Sequence, residues 1–178
     1  MRTAILVSVC ATSALTAMAA DPPRPSPPLA IERLNAPAVE LSQYRGRVVA
    51  LAFIFTTCSH CQDLTRLLVP LSREYALRGV QVLECAFNDD AKQTMAGFLQ
   101  QFQAPFPVGW TTHDAVMGYL QRSIIDTRPV YVPHMVFLDR RGMIEADYPG
   151  ESDFFKDTAT TATNIRAELE KLLKAPAK

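Results

Sequence analysis

At 178 residues, with a formal charge of zero, 48% hydrophobic and 20% charged residues, the chain has the size of one ordinary globular domain plus processing segments. It carries no Lys/Arg cluster, which excludes a surface built for nucleic acid or for an anionic membrane. Internal repeats and low-complexity blocks are absent.

In chain order, MRTAILVSVCATSALTAMAA comes first: one basic residue, an apolar stretch, and the small-residue pattern Ala17-Met18-Ala19. It reads as a cleavable export signal, cut near Ala19 or Ala20. A retained anchor is the competing reading, but the apolar stretch is short for a bilayer span and is interrupted by Ser and Thr. Cleavage leaves Cys58, Cys61 and Cys85. In residues 21–28, DPPRPSPP, five of eight are proline, so this segment is expected to be an extended spacer and the folded domain to occupy 29–174.

Residues 38–41 are expected to form a short strand and YRGR a turn. VVALAFIF (48–55) is a continuous apolar run, as for a central strand covered on both faces. Leu64, Leu67, Leu68, Leu71 and Tyr75 then recur at helical spacing, with Gly79 as the stop. A second apolar strand, VQVLECAF (80–87), precedes a helix over DDAKQTMAGFLQQF. PFPVGW is a short extended piece, and THDAVMGYLQ a helix capped by Thr112. MVFLDRRGMIEADY gives two strands around a turn at Asp139–Gly142, and Ser152 or Asp153 opens a last amphipathic helix through Leu173. Strands alternating with helices, then a hairpin and a helix, indicate an α/β layer fold with a mixed sheet.

Within FIFTTCSHCQDL, Cys58 and Cys61 stand where the central strand gives way to a helix. Unpaired N–H groups and the dipole at a helix start favour thiolate over thiol, which makes Cys58 the expected nucleophile. Cys61 lies one turn on, at a separation of about 5–6 Å that a disulfide spans. His60, between them, is expected to donate to the Cys58 sulfur and make the pair more oxidising. A structural zinc site needs four ligands, and beyond this pair the chain offers only Cys85, His60, His113 and His134 at unrelated spacings. A purely structural disulfide would constrain little, since the loop it closes is so small.

With these elements in order, the sequence resembles the thioredoxin superfamily, and within it the exported TlpA/ResA-like thiol-disulfide oxidoreductases with a redoxin (AhpC/TSA-like) domain. The residues that carry the likeness are the CxxC pair, VPHMVFLD with Pro133 at the family's cis-proline position, and LSQYRGRVVALAFIFTTCSHC, which looks like its opening hairpin and first central strand. The resemblance covers about residues 34–174. It implies a thioredoxin-like fold, a central mixed sheet flanked by helices with an N-terminal hairpin and one inserted helix over 91–103. It further implies no cofactor beyond a redox-active Cys58–Cys61 disulfide. The implied partners are protein thiols and disulfides and a membrane or periplasmic redox partner, with no nucleic acid. A cis bond at Pro133 would expose the backbone of Val132 to an extended substrate beside the reactive sulfur, and Thr57 would sit at the same substrate edge.

Several positions depart from the family. Thr57 replaces the usual aromatic residue before the first cysteine, and Ala52 replaces a buried polar or acidic residue that would help move a proton from the second. Asp89 is the nearest match to a family acid after the next strand, with Glu84 as the second candidate relay. Pro70 lies deeper in its helix than the family leads one to expect. Cys85 reads as a small hydrophobe, Trp110 as core or pocket lining, and Asp139 and Asp147 as turn and surface residues. The leading function is thus exported thiol-disulfide exchange on proteins, by family analogy in cytochrome c maturation or extracytoplasmic disulfide reduction. The alternative is a Sco-like copper metallochaperone of the same fold, holding copper with Cys58, Cys61 and His134 or His60.

Overall fold

The structure is a computed structural model describing residues 21–122 and 129–176; the expected export signal lies outside them. Its centre is β4 (Val48–Ile54), seven residues buried on both faces. A strand can be covered this completely only where neighbours take up its backbone groups and helices or loops cover both faces. β5 (Val80–Ala86) pairs with it in parallel, setting Ala52 opposite Glu84, and β7 (His134–Leu138) pairs on the other side in antiparallel fashion, setting Phe53 opposite His134.

Among the described residues the sheet has eight strands in the order β1-β8-β7-β4-β5-β6-β2-β3, with β1 at Arg24–Pro25, β2 at Ala30–Arg33, β3 at Ala36–Glu40, β6 at Val108–Trp110 and β8 at Met143–Tyr148. One face packs against α1 (Ser59–Ala76), α2 (Ala91–Phe102) and α4 (Thr158–Lys174), in a core that joins Ala50, Ala52 and Ile54 to Leu64, Leu68, Met95 and Ile165. The other face, with Val49, Leu51 and Phe53, lies under α3 (His113–Tyr119) and the opening hairpin, through Val116, Tyr119, Ile31 and Val39. This is the thioredoxin-like α/β architecture that the order of elements implies, with its mixed sheet, opening hairpin and inserted helix α2. In α1 the buried positions Cys61, Leu64, Leu68, Leu71 and Tyr75 follow the helical period, and Gly79, at φ +86°, turns the chain into β5.

Three boundaries differ from expectation. The opening hairpin is β2–β3, earlier than the quoted stretch, whose LSQY forms a 3-10 turn. The last helix begins at Thr158, where Asp157 accepts from the Thr160 N–H; Asp153–Phe155 is a separate 3-10 turn. The proline-rich segment is not merely a spacer: Arg24 and Pro25 extend the sheet along β8, and Arg24 is 4% exposed.

The reason is an internal charge. Asp147, expected at the surface, accepts from Arg24 at 3.1 Å and from the His134 ring at 2.5 Å. Both partners hold its carboxyl below the usual range, against the upward push of its burial. Proline content spoke for an extended segment but could not reveal that its one arginine has a partly buried carboxylate to meet.

Candidate active site

Beyond β4 the chain turns through Phe55, Thr56 and Thr57, and Cys58 caps α1. Its sulfur, half-buried, accepts the Cys61 N–H at 3.4 Å, one of the donors a helix start leaves without a partner. Cys61 is fully buried one turn further on, and its sulfur accepts the Phe55 N–H at 3.5 Å. Burial pushes the Cys61 thiol well above its ordinary range; the Phe55 N–H pulls it back, while Cys58 and Glu84 push it higher. The two thiols are therefore unlike, one accessible at a helix cap and one buried.

Glu84 stands beneath this pair. On β5 the residues Val82, Glu84 and Ala86 face α1, so the carboxyl enters the same layer as Cys61. It is completely buried, and neither oxygen has a hydrogen-bond partner among the described residues. Thr65 faces it from α1 but gives its one hydroxyl proton to the Cys61 carbonyl at 3.0 Å. Desolvation pushes Glu84 up to about 8. The register also accounts for the missing acid at Ala52, since Glu84 is its direct lateral neighbour.

Beside the cysteines opens a cleft of about 220 Å³, with His60, Asp63, Leu64 and Leu67 of α1 on one wall. Val132, Pro133, Gly150 and Phe155 form the other. The Val132–Pro133 bond is cis. Gly150 packs against this segment: its N–H donates to the Tyr131 carbonyl at 3.2 Å, and a Cβ there would lie 3.0 Å from the Pro133 oxygen and from the carbonyl carbons of Tyr131 and Val132. Gly150→Ala is expected to push the segment aside by a few tenths of an ångström. Exchange with a peptide disulfide should slow about fivefold, whereas dithiothreitol, which needs no cleft, reacts at an unchanged rate. Equal slowing of both would refute this role.

The sequence matches the AhpC/TSA family over residues 24–147, more than two thirds of the chain. The chain belongs to the AhpC/TSA family. Solved structures share the fold of this AhpC/TSA-family chain at low identity. A protein from Chlorobium tepidum, proposed to be the thiol:disulfide interchange protein DsbE, superposes with a TM-score of 0.68 at 22% identity, over 84% of this chain and 98% of that one. A thiol:disulfide interchange protein from a Bacteroides species gives a TM-score of 0.64 at 17% identity, over 90% and 95%. Among curated proteins, the SCO1 protein homolog of Bacillus subtilis is 26% identical over 98 residues, 54% of this chain. The chain spans about half the length of that relative, 51%.

Within this AhpC/TSA-family chain the structure brings His60, Val132 and Pro133 onto one cleft, while Cys58 and Cys61, at the start of the same helix, are not among its lining residues; Glu84 lies near Cys61. His60 is exposed on the cleft wall; the hydrogen bond to the Cys58 sulfur comes from the Cys61 backbone instead. Thr57 is exposed. Asp89, the first choice for a relay, is also exposed, just before α2, since β5 has ended by Ala86. His134 is on the wrong face for copper. It shares its side of β7 with Val136 and Leu138, under α3, and bonds Asp147, while the cysteines belong to the α1 side. Cys85 is fully buried on that second face, where desolvation pushes its thiol up. Sequence reasoning did not single out Gly150, and it placed Glu84 second to Asp89, although of the two Glu84 is the buried one. The signal for Glu84 was present, a single acid inside the apolar run VLECAF.

Proposed function

We propose that this chain is a thiol-disulfide oxidoreductase acting on protein substrates through Cys58 and Cys61. What supports it most is the asymmetric pair, an accessible Cys58 at the helix cap above a buried Cys61 that shares its pocket with Glu84. The Cys58 thiolate attacks a substrate disulfide, forming a mixed disulfide and releasing one substrate thiolate. In the fraction of molecules in which Glu84 is ionised, Cys61 gives its proton to that carboxylate and attacks the Cys58 sulfur; the second substrate sulfur leaves, and the Cys58–Cys61 disulfide remains. Two electrons pass to the substrate, and the reverse sequence oxidises a dithiol. A carboxyl with a value of about 8 changes state readily near neutral pH, which suits it to take or return that proton.

The direction proposed is reduction of substrate. His60 was the argument for an oxidant, and the hydrogen bond to the Cys58 sulfur comes instead from the Cys61 backbone N–H. The proposal extends, on family likeness, to export by the first twenty residues, to re-reduction by a membrane partner, and to apocytochrome c as client in cytochrome c maturation.

The SCO1 relative motivates a second reading, a copper site. Against it, His134 lies across the sheet, and among the described residues no group of three His, Cys, Asp or Glu is placed to hold a metal. The test is the equilibrium of the full chain with reduced and oxidised glutathione, run beside insulin reduction. A potential near that of thioredoxin, about −270 mV, with insulin reduced, is expected. A value near about −120 mV would reject the reductant role, and stoichiometric copper surviving dialysis of the reduced protein would favour the metal reading.

A further inference from the structure

Thr56, two residues before Cys58, is 4% exposed, and each of its polar atoms has a partner drawn from the start of α1, the β5–α2 connection or α2. Its N–H donates to the Asn88 side-chain oxygen at 3.0 Å, and its carbonyl accepts from the Gln62 amide at 2.9 Å. Its hydroxyl accepts from the Asn88 amide at 2.9 Å and meets the Thr94 hydroxyl at 2.7 Å. Thr94 in turn donates to the Asp90 carbonyl at 2.9 Å, which leaves the Thr56 hydroxyl as donor in the Thr56–Thr94 bond and gives the chain one direction. The second Asn88 N–H goes to Asp90 at 2.6 Å. None of these contacts is needed to build the sheet, because β4 has already ended at Ile54.

What they hold is the neighbouring residue. The Phe55 N–H donates to the Cys61 sulfur and the Phe55 carbonyl accepts the Cys58 N–H at 3.1 Å, so both cysteines take part of their setting from the two peptide groups of Phe55, the residue just before Thr56. We infer that Thr56, anchored by Asn88 and Thr94, is a positioning residue that sets the redox equilibrium of the Cys58–Cys61 pair by fixing the loop whose Phe55 N–H faces the Cys61 sulfur and whose Phe55 carbonyl holds the Cys58 N–H. This rests on the oxidoreductase reading above. It also assigns the inserted helix α2 a task at the site, since Thr94 is its contribution. Networks of this type act as a unit, because each bond fixes the orientation of the next.

The test compares Thr56→Val, which keeps the side-chain shape and removes the hydroxyl, with Thr56→Ser, which keeps the hydroxyl. The full chain is equilibrated with glutathione and the fraction of disulfide read by mass spectrometry, with circular dichroism to confirm folding. Thr56→Val should shift the equilibrium about tenfold towards the disulfide, equivalent to about 30 mV for a two-electron couple, because the loop no longer holds the Phe55 N–H on the Cys61 sulfur of the reduced form. Thr56→Ser should stay within about twofold of the unsubstituted chain. If Thr56→Val does not fold, Thr94→Val decides, with a shift of about threefold in the same direction. An unshifted equilibrium in the folded valine variant overturns the positioning role while leaving the oxidoreductase reading in place. An unsubstituted chain that never exchanges with glutathione overturns both.

Discussion

Cys58→Ser is expected to lower insulin reduction by about a thousandfold or more, because a serine hydroxyl is not ionised near neutral pH and does not displace a thiolate from a disulfide. Cys61→Ser should behave differently. Its Cys58 sulfur keeps the Cys61 backbone N–H donor, since that bond does not involve the side chain. The first attack therefore proceeds and the mixed disulfide cannot be resolved. Insulin turbidity together with intact mass after quenching distinguishes the two: no adduct for the first variant, one covalent substrate chain for the second. Full activity in Cys58→Ser would sink the proposed function. An adduct on Cys58→Ser but not on Cys61→Ser would exchange the roles of the cysteines, against the exposure of the first and the burial of the second.

Glu84→Gln is expected to stabilise the fold while impairing the chemistry. The folded carboxyl has a value of about 8 against an ordinary 4.5, and burial is the main cause. Between those values the unfolded chain has released this proton and the folded chain still holds it, so unfolding releases a proton and stability falls as pH rises. The loss is complete above about pH 8. At about 1.36 kcal/mol per unit it amounts to on the order of 4 to 5 kcal/mol. Glutamine is neutral throughout and escapes this term. Urea denaturation should show Glu84→Gln close to the unsubstituted chain near pH 4.5 and more stable by several kcal/mol at pH 8.5. A difference that does not change with pH would reject the buried neutral carboxyl. The same substitution leaves Cys61 without a proton acceptor, and resolution of the mixed disulfide should slow by about a hundredfold. The opposite signs of the two effects separate a functional acid from a packing residue, for which activity and stability would move together.

The relation of Glu84 to Asp89 also shows where sequence reading stops. Both acids lie near the end of β5, and position along the chain favoured Asp89 as a family match. Side-chain depth distinguishes the two. Glu84 belongs to the strand and faces α1, whereas Asp89 follows the strand and faces water. With Ala52 the proton-transfer task falls elsewhere or goes unfilled, and a sequence does not display that Glu84 lies beside it on the next strand. His134 is the reverse case. One residue from Pro133 in sequence, it is separated from the cysteines by the sheet itself, because successive side chains of a strand point to opposite faces.

From the sequence alone came the alternation of strands and helices, the central strand over Val48–Ile54, the helix stripe from Leu64 to Tyr75, and the pair of cysteines at a strand-to-helix junction. These are matters of local period and composition, set by burial along one element and by the geometry of a helix start. Only the tertiary structure decided that Arg24 meets Asp147, that Gly150 leaves room for the Pro133 segment, that Thr56 is tied to α2, and that Glu84 lies under Cys61. Each of these depends on strand register and packing between residues far apart in the chain. Contacts at such separations are fixed by how whole elements stack, and no short stretch of sequence carries them.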